Sequence, residues 1–229
     1  MNVPEQDSQT IIIGDVHGCL TELDALLRKV LYMRGDRLIL VGDLVAKGPD
    51  SAGVVARARE LGALGVRGNH DERVLSWFRA ERGGPALDRP LSRGHRAVCA
   101  TLEDEDVAWL EALPLTLRLA EHRVTVVHAG LRPGVALNRQ DPVEMLNMRS
   151  LTSVGGVSYR ADDGVPWASR WTGPDLVVFG HDAIRGLQRY EQAIGLDTGC
   201  VYGGQLTALL LPSRRIVSVN ARRAYKEIL

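Results

Sequence analysis

Five short clusters of Asp, His and Asn residues occur along the chain, and each directly follows an apolar run. They offer carboxylate, imidazole and amide groups, and four of the six histidines lie in them. In chain order they are Asp15-Val16-His17-Gly18, Gly42-Asp43, Gly68-Asn69-His70-Asp71, His128-Ala129-Gly130 and Gly180-His181. None contains a thiol, so the donors suit divalent ions such as Mn, Fe, Zn or Mg rather than a soft, Cys-bound metal. The clusters therefore predict one metal site assembled from separate segments.

The hydrophobic pattern predicts the elements that must position the first three clusters. Short β-branched and aliphatic runs at 10–13, 37–41 and 64–66 predict strands that end just before these clusters. The helices predicted after the strands cover 20–31, 51–61 and the surroundings of Val74, Leu75 and Phe78. Alternating strand and helix units form parallel or mixed sheets, whose ligands gather at the carboxyl ends of the strands. We therefore expect the clusters to meet at one edge of a sheet.

Capping residues predict the ends of two of these helices. Thr21 is followed by Asp24 three residues later, which is the spacing of a capped amino terminus. Ser51 can cap the second helix, and Gly62 is placed to end it.

The second half of the chain is predicted to be rich in strands. Strands are expected at 115–119, 124–127, 176–179, 193–196, 206–211 and 216–219. Helices are expected at 101–113 and within 142–151, whereas 83–94 and 153–172 read as irregular loops near the site. No repeat or linker interrupts the pattern. It therefore favours a single domain over residues 1–229, of the α/β (α+β) class, with two packed sheets flanked by helices.

Composition excludes several functional classes. The formal net charge is zero, which gives no basic footprint for nucleic acid or for an anionic membrane. Cys19, Cys99 and Cys200 are an odd set without a CxxC pair, which favours buried free thiols in a reducing compartment. The stretch Met1 to Thr10 is polar, and no apolar run approaches the length of a membrane span. These features predict a cytoplasmic protein without a signal peptide or membrane span; they leave its oligomeric state open.

The donor types divide naturally between two metal ions. Asp43 can place one carboxylate oxygen on each ion and so bridge them. We expect the first ion to be bound by Asp15, His17 and Asp43, and the second by Asp43, Asn69, His128 and His181. Two metals about 3.5–4 Å apart can clamp the oxygens of a displacement at phosphorus, and they make hydroxide available near neutral pH. The clusters thus predict phosphoester or phosphoanhydride hydrolysis.

Four further residues are candidates for handling the substrate. His70, next to Asn69, is the candidate general acid for the leaving oxygen. Lys47 and Arg149 are candidates for binding phosphate oxygens, with a solvated loop lysine and a helix-end arginine as the alternatives. Tyr202 is a candidate for the rim of the site, with a core tyrosine as the alternative.

Several other residues are interpreted without a direct role in chemistry. Asp197 is either a supporting residue of the site or a turn residue, and Arg67 is expected to pair with a nearby carboxylate. His95 and His122 lie outside every cluster and are expected at the surface. Trp167 and Trp171 are expected as core or loop anchors, with stacking on a base as the alternative.

Taken together, the five clusters resemble the calcineurin-type metallophosphoesterases, and within them the phosphoprotein-phosphatase branch. The resemblance spans about residues 10–210. It implies a central mixed β-sandwich flanked by helices, and hydrolysis of phosphoesters with two divalent metals. Mn is the first expectation, with Fe, Zn, Co or Mg as alternatives. By motif position the resemblance also implies His70 as the catalytic histidine and the six residues above as metal ligands.

Departures from that branch bear on the substrate. Protein Ser/Thr phosphatases usually carry Asp-Arg-Gly where this chain has Ala46-Lys47-Gly48, and Glu where it has Asp71. The Asp that normally orients the catalytic histidine is therefore absent at Ala46, so His70 must lack that partner or use another. Lys47 keeps the positive charge of the usual Arg but loses its bidentate fork.

Two segments are similar to the symmetrical diadenosine tetraphosphate hydrolases. One is Leu44-Val45-Ala46-Lys47-Gly48-Pro49, and the other runs from Leu196 to Gly204. They imply cleavage of diadenosine tetraphosphate into two ADP. A serine/threonine protein phosphatase or a broad phosphomonoesterase with the same site remains the alternative. A non-catalytic metal-binding module is disfavoured because the ligand set is complete.

Overall fold

The computed structural model describes residues 8–227. The prediction that Met1 to Thr10 is not a signal peptide therefore falls mostly outside the described residues. The helices are α1 (Leu20–Lys29), α2 (Ser51–Glu60), α3 (Asn69–Glu81), α4 (Arg93–Cys99), α5 (Asp104–Ala112) and α6 (Pro142–Asn147). The strands are β1 (Thr10–Ile13), β2 (Arg37–Leu40), β3 (Leu64–Gly65), β4 (Thr116–Leu119), β5 (Val124–Val127), β6 (Ser150–Leu151), β7 (Val157–Ser158), β8 (Val165–Pro166), β9 (Leu176–Phe179), β10 (Gln188–Arg189), β11 (Ala193–Gly195), β12 (Gln205–Leu211) and β13 (Arg215–Asn220). Within residues 8–227, no helix combines the length and apolarity needed to cross a membrane.

Two mixed sheets carry the loops that follow the predicted strands. The first has the order β13-β12-β1-β2-β3, and β1, β2 and β3 run parallel. The second has the order β10-β11-β9-β5-β4, in which β5, β9 and β11 run parallel. Parallel strands end at the same edge of a sheet, so the loops after β1, β2, β3, β5 and β9 are brought together there.

Alternation along β1 shows how the layers pack. Ile12 joins the apolar cluster between the two sheets, together with Ile39 of β2 and Val178 of β9. Ile11 and Ile13 point the other way, into the cluster that packs against α1, α2, α3 and α5. Successive side chains of a strand face opposite sides, so a fully apolar strand such as β1 must be covered on both faces. This is the predicted sandwich flanked by helices, and the prediction is confirmed.

The structure corrects the predicted elements at several points. Leu20 starts α1 directly after Cys19, and Thr21 makes no cap. Asp50, not Ser51, caps α2 by accepting from the Gly53 amide, while the Ser51 hydroxyl accepts from the Ala46 amide. The helix expected at 101–113 is the shorter α5, and α4 before it was not predicted.

A small third sheet occupies the segment expected to be an irregular loop. Strands β7 and β8 lie within 153–172 and pair on either side of β6. Each strand has only two residues, which is too short for an alternating pattern to be recognised in the sequence.

The packing predicts a large effect for a substitution between the sheets. Ile39 is fully buried, so Ile39→Ala should lower the free energy of unfolding by about 2–5 kcal/mol. Leu31 is 70% exposed, so Leu31→Ala should change it by no more than about 0.5 kcal/mol. Urea denaturation of both variants measures the difference. Equal effects of the two substitutions would show that the sandwich interior does not stabilise the fold as described.

Candidate metal centre

The sheet edge places each predicted ligand in a tight loop. Asp15 and His17 follow β1, Asp43 follows β2, Asn69 opens α3, and His128 and His181 follow β5 and β9. Three of these non-glycine residues have left-handed backbones, with φ of 48° at His17, 51° at Asp43 and 69° at His181. Such conformations cost about 1–3 kcal/mol each and gather where a loop is constrained by function. Half of the predicted ligands therefore have a strained backbone.

Asp43 lies at the centre of the cluster. Its carboxylate is 2% exposed, with Oδ2 3.4 Å from His17 Nε2 and Oδ1 3.4 Å from His128 Nε2. The backbone amide of His70 donates to Oδ1 at 2.9 Å. One oxygen therefore faces each of the two predicted ligand groups, as a bridging carboxylate would.

Acceptor atoms converge on one side of Asp43. His128 Nδ1 lies 3.0 Å from the Val41 carbonyl and His181 Nε2 lies 3.1 Å from the Asn147 carbonyl, so these nitrogens are assigned as N–H donors. The other ring nitrogens then carry lone pairs, which face Asn69 Oδ1 at 3.0 and 3.1 Å. Lone pairs at these distances repel one another unless a cation lies among them. This donor set therefore fits a divalent metal.

The same logic holds on the other side of Asp43. His17 Nδ1 donates to the Val45 carbonyl at 3.0 Å, which leaves a lone pair on Nε2. The Lys47 ammonium lies 2.9 Å from Nε2 and donates to it, so a positive group already stands beside this ring. The Lys47 ammonium thereby provides a positive charge beside the lone pair of His17 Nε2.

Asp15 supports the cluster from a neighbouring position. Both carboxylate oxygens accept from the His181 amide, at 3.0 and 3.1 Å. A Cβ at Gly180 would lie 2.0 Å from Asp15 Oδ1, so only glycine allows this approach. Two groups that include Asp43 have donor atoms within 4.8 Å of one another, namely His17, Asp43 and His70, and Asp43, His128 and His181. Asp15 belongs to neither of them.

Burial sets the protonation of the cluster. It lowers the pKa of His17 to about 4, assisted by Lys47, and it lowers the pKa values of His128 and His181. Burial, followed by repulsion from Asp197 and Asp43, raises the pKa of Asp15 well above its usual range. The imidazoles are thus neutral and able to ligate, and the carboxylates repel one another. A divalent cation would relieve that repulsion.

Asp71 and Asp197 are buried carboxylates beside the cluster. Asp71 accepts from the amides of Leu44 at 2.9 Å, Val45 at 3.2 Å and Gly68 at 2.9 Å, and so ties the loop after β2 to the start of α3. Asp197 accepts from the Gly199 amide at 3.1 Å and also lines the site, so both interpretations of Asp197 hold. Burial raises the pKa of Asp71 to about 7 and that of Asp197 to about 6.

A cavity of about 390 Å³ opens beside the cluster and brings the predicted substrate residues together. Lys47, Arg149 and Tyr202 line it with Asp43 and His70. The Lys47 ammonium lies 5.4 Å from the centre of the Tyr202 ring. Arg149 donates to the carbonyls of Tyr159 at 2.8 Å and His181 at 3.1 Å, which holds its guanidinium at the cavity wall.

His95 is partly exposed on α4, as its predicted surface position allows, but its contact with His70 was not predicted. The two rings are parallel within 4°, with 5.0 Å between centroids. His95 Nε2 lies 3.0 Å from His70 Nδ1. The short, Gly- and Arg-rich α4 lacks a helical hydrophobic pattern, so it was missed. The one available signal was Ser92, three residues before His95, as a cap.

The remaining assignments have mixed outcomes. His122 is partly exposed, as its predicted surface position allows, and its Nε2 lies 3.3 Å from Thr10 Oγ1. Arg67 pairs with Glu72 at 2.7 Å, as predicted.

Trp167 is 1% exposed and donates to the Ala129 carbonyl, which makes it a core anchor and leaves no face for a base. Trp171 packs against the same core cluster. The three cysteines are buried and free, as predicted.

The convergence of acceptors predicts that divalent metal stabilises the fold. Metal at about 100 times its dissociation constant should raise Tm by about 5–10 °C, and chelation should reverse the rise. The rise should be larger at about pH 8 than at about pH 6, because protonation of Asp71 and Asp197 stabilises the metal-free fold below their raised pKa values and is lost above them. Thermal denaturation with and without Mn measures both effects.

Two Asp to Asn variants provide the control for this prediction. Asp43→Asn removes the central carboxylate and should abolish the metal-induced rise. Asp162→Asn changes an exposed carboxylate paired with Arg160 and should keep it. A rise that survives in Asp43→Asn, or that is larger at the lower pH, would contradict the assignment.

Comparison with known proteins places the chain among described enzymes. The model of the calcineurin-like phosphoesterase family matches residues 9–193. An asymmetrical bis(5'-nucleosyl)-tetraphosphatase from Bacillus subtilis is 32% identical, and the match covers 94% of this chain and 96% of that protein. A symmetrical bis(5'-nucleosyl)-tetraphosphatase from Janthinobacterium is 30% identical, with coverage of 95% and 98%.

A solved structure agrees with the fold described above. It is described as a candidate diadenosine tetraphosphatase, is 40% identical, covers 96% of both chains and superposes with a TM-score of 0.84. The resemblance noted from the five clusters is thereby confirmed. The chain is a metallophosphoesterase, and it belongs to the calcineurin-like phosphoesterase family.

Proposed function

We propose that this chain hydrolyses dinucleoside polyphosphates and cleaves diadenosine tetraphosphate symmetrically into two ADP. The observation that carries the proposal is the position of the two segments similar to symmetrical tetraphosphatases. Lys47 belongs to the first, Asp197 and Tyr202 belong to the second, and all three line the cavity beside Asp43 and His70. The names of the relatives support the same substrate class.

Divalent metals complete the proposed site. Asp15, His17 and Asp43 would hold one ion, and Asp43, Asn69, His128 and His181 would hold the other. The donor chemistry favours Mn and accommodates Fe, Zn, Co or Mg. When bound, the ions supply Lewis-acid polarisation of the phosphoryl group and a nucleophile near neutral pH.

Cationic side chains bind the polyphosphate in this proposal. Lys47 and Arg149 lie on the cavity wall and offer N–H donors to phosphate oxygens that do not react. Both stand close to Asp43 and are set there by their bonds to His17 and to the Tyr159 and His181 carbonyls. Donors fixed in this way need little rearrangement as charge develops on the transferred group.

The space around His70 suits a substrate with two arms. A second cavity, of about 320 Å³, is lined by His70, Asn69 and Asn147 and extends towards Arg73 and Arg89. The same His70, Asn69 and Asn147 also line the first cavity. The alcohol part of a phosphomonoester would occupy only one of these cavities. A dinucleoside polyphosphate extends from both sides of the bond that breaks and could occupy both.

The first cavity also offers apolar surface for a nucleoside. Tyr159 is 48% exposed and Ile184 is 69% exposed, and both line this cavity with Arg149. Exposed aromatic and aliphatic side chains next to cations suit a base at the end of a phosphate chain. Tyr159 and Ile184 are therefore proposed as its binding surface.

A paired turnover assay with Mn-loaded protein tests the proposal. One reaction contains diadenosine tetraphosphate with chromatographic separation of products, and the other contains a phosphoserine peptide. The dinucleotide should show the higher kcat/KM and should yield ADP alone. Equal amounts of ATP and AMP would contradict symmetrical cleavage, and a higher kcat/KM on the peptide would contradict the substrate class.

The proposed role of Lys47 in binding phosphate gives a second prediction. The chain has three lysines, one of which can serve as a control. Lys47→Ala should lower kcat/KM on the dinucleotide by about 10- to 100-fold, the loss of one charge-assisted bond to phosphate. Lys47→Arg should retain most of the activity, since the charge and the donors remain. Lys29→Ala serves as the control, because Lys29 is exposed and its ammonium donates to the Ser218 carbonyl, far from the site. Wild-type kinetics in Lys47→Ala would exclude Lys47 from phosphate binding.

A further inference from the structure

His70 has an aromatic partner where the protein phosphatases have a carboxylate. Ala46 stands at the position from which an Asp would reach the catalytic histidine, and its side chain has no polar atom. His70 Nδ1 instead lies 3.0 Å from His95 Nε2. The two rings are parallel within 4°, with their centroids 5.0 Å apart. His95 therefore contacts His70 edge to edge, with the two rings nearly parallel and joined by one hydrogen bond.

A serine fixes the arrangement of protons in this pair. The Ser92 hydroxyl lies 2.7 Å from His95 Nδ1, and it accepts from the His95 backbone amide at 3.3 Å. Because Ser92 already accepts from that amide, its own O–H is free to donate to His95 Nδ1. His95 then carries its proton on Nε2 and donates it to His70 Nδ1. His70 in turn carries its proton on Nε2, the nitrogen that is left for the substrate.

The segment that presents His95 is tied to the helix that carries His70. Arg73, one turn after His70 on α3, donates to the Asp88 carboxylate at 2.5 Å and to the carbonyls of Arg89 and Pro90. Arg96 of α4 donates to the Leu91 carbonyl at 2.7 Å. These bonds hold the irregular chain before α4 against α3, so the distance between the two imidazoles is set by the fold.

We propose that His95, with Ser92 behind it, is the positioning residue of His70 and replaces the missing carboxylate. This inference rests on the proposed function only through the role of His70 as donor to the leaving oxygen. His95 fixes the ring orientation of His70 and the nitrogen that bears its proton. It lies outside the cavity lined by Lys47 and Arg149 and lines the second cavity beside His70.

The identity of the partner has a consequence for leaving groups. A carboxylate partner orients a histidine and also stabilises the imidazolium that forms or exists during acid catalysis. A neutral imidazole provides the orientation without the negative charge. The pair is therefore suited to donating a hydrogen bond to a good leaving group such as a nucleoside diphosphate, and less suited to protonating an alkoxide.

The test is a leaving-group series on metal-loaded protein. Aryl phosphates that range from a dinitrophenyl to an unsubstituted phenyl ester are compared for wild type and His95→Ala. His95→Ala should lower kcat by about 10- to 100-fold on the phenyl ester, with little change on the dinitrophenyl ester, whose leaving oxygen disperses its own charge and depends least on a hydrogen bond from His70. KM and bound metal should stay at wild-type values. A loss that is equal across the series, or that accompanies loss of metal, would overturn the proposal.

Two further variants separate positioning from packing. His95→Gln places an amide N–H near the position of His95 Nε2 and should restore most of the lost kcat. Ser92→Ala removes the outer hydroxyl, together with the cap that it provides for α4, and should give a smaller loss with the same dependence on leaving group. His122→Ala removes a half-buried histidine far along the chain and should leave the series unchanged. Failure of His95→Gln to exceed His95→Ala would overturn the role.

A second readout does not require turnover. In protein loaded with a diamagnetic ion such as Mg, nitrogen NMR of the imidazoles should show His70 protonated on Nε2 in wild type and a mixture of the two tautomers in His95→Ala. Unchanged tautomers would overturn the proposal even if activity fell. If the protein did not hydrolyse the dinucleotide, the proposed function would be rejected. The leaving-group series and the NMR measurement would still test the role of His95.

Discussion

The organisation of this molecule depends on a buried carboxylate, Asp43, with hydrogen-bond acceptor atoms on both sides. His17 Nε2 lies 3.4 Å from it on one side and His128 Nε2 lies 3.4 Å from it on the other, where Asn69 Oδ1 is 3.0 Å from His128 Nε2. Each buried acceptor left without a partner costs about 1–3 kcal/mol. Binding of a positive charge beside Asp43 explains why the fold holds these acceptor atoms together. The Lys47 ammonium already lies beside His17, on one side of Asp43.

The sheets are the means by which this arrangement is held. Parallel pairing of β1, β2 and β3 brings Asp15, Asp43 and Asn69 to one edge, and β5 and β9 bring the two remaining histidines from the second sheet. Carbonyls of Val41 and Val45, which follow β2, orient two of the histidine rings. The Asp71 carboxylate then fixes the loop after β2 by three backbone amides. Strained left-handed residues are tolerated in these loops because the surrounding bonds determine their conformation.

Sequence alone predicted the family, the sandwich and the convergence of the five clusters. These features are encoded locally, since each cluster directly follows an apolar strand and the order of the elements determines where the strand ends meet. That residues 1–229 form one domain stays a prediction, as do the assignments of individual metal ligands. The proposed roles of Lys47, Arg149 and Tyr202 also stay predictions, although the structure places these side chains around one cavity.

The features that sequence missed depend on tertiary contacts or on very short elements. His95 was assigned to the surface because no cluster surrounds it, yet its position is fixed by bonds from Arg73 and by the Ser92 cap. The third sheet consists of two-residue strands that show no periodicity. The caps lie one and two residues earlier than predicted, because Asp50 and Cys19, rather than Ser51 and Thr21, precede the helices, and loop geometry decides such choices.

The most direct test of the central claim is the location of bound metal. A crystal of the Mn-loaded protein, measured with anomalous scattering, should show two ions about 3.5–4 Å apart with one Asp43 oxygen on each. One ion should contact His17, and the other should contact Asn69, His128 and His181. A single ion, or two ions that do not share Asp43, would contradict the account.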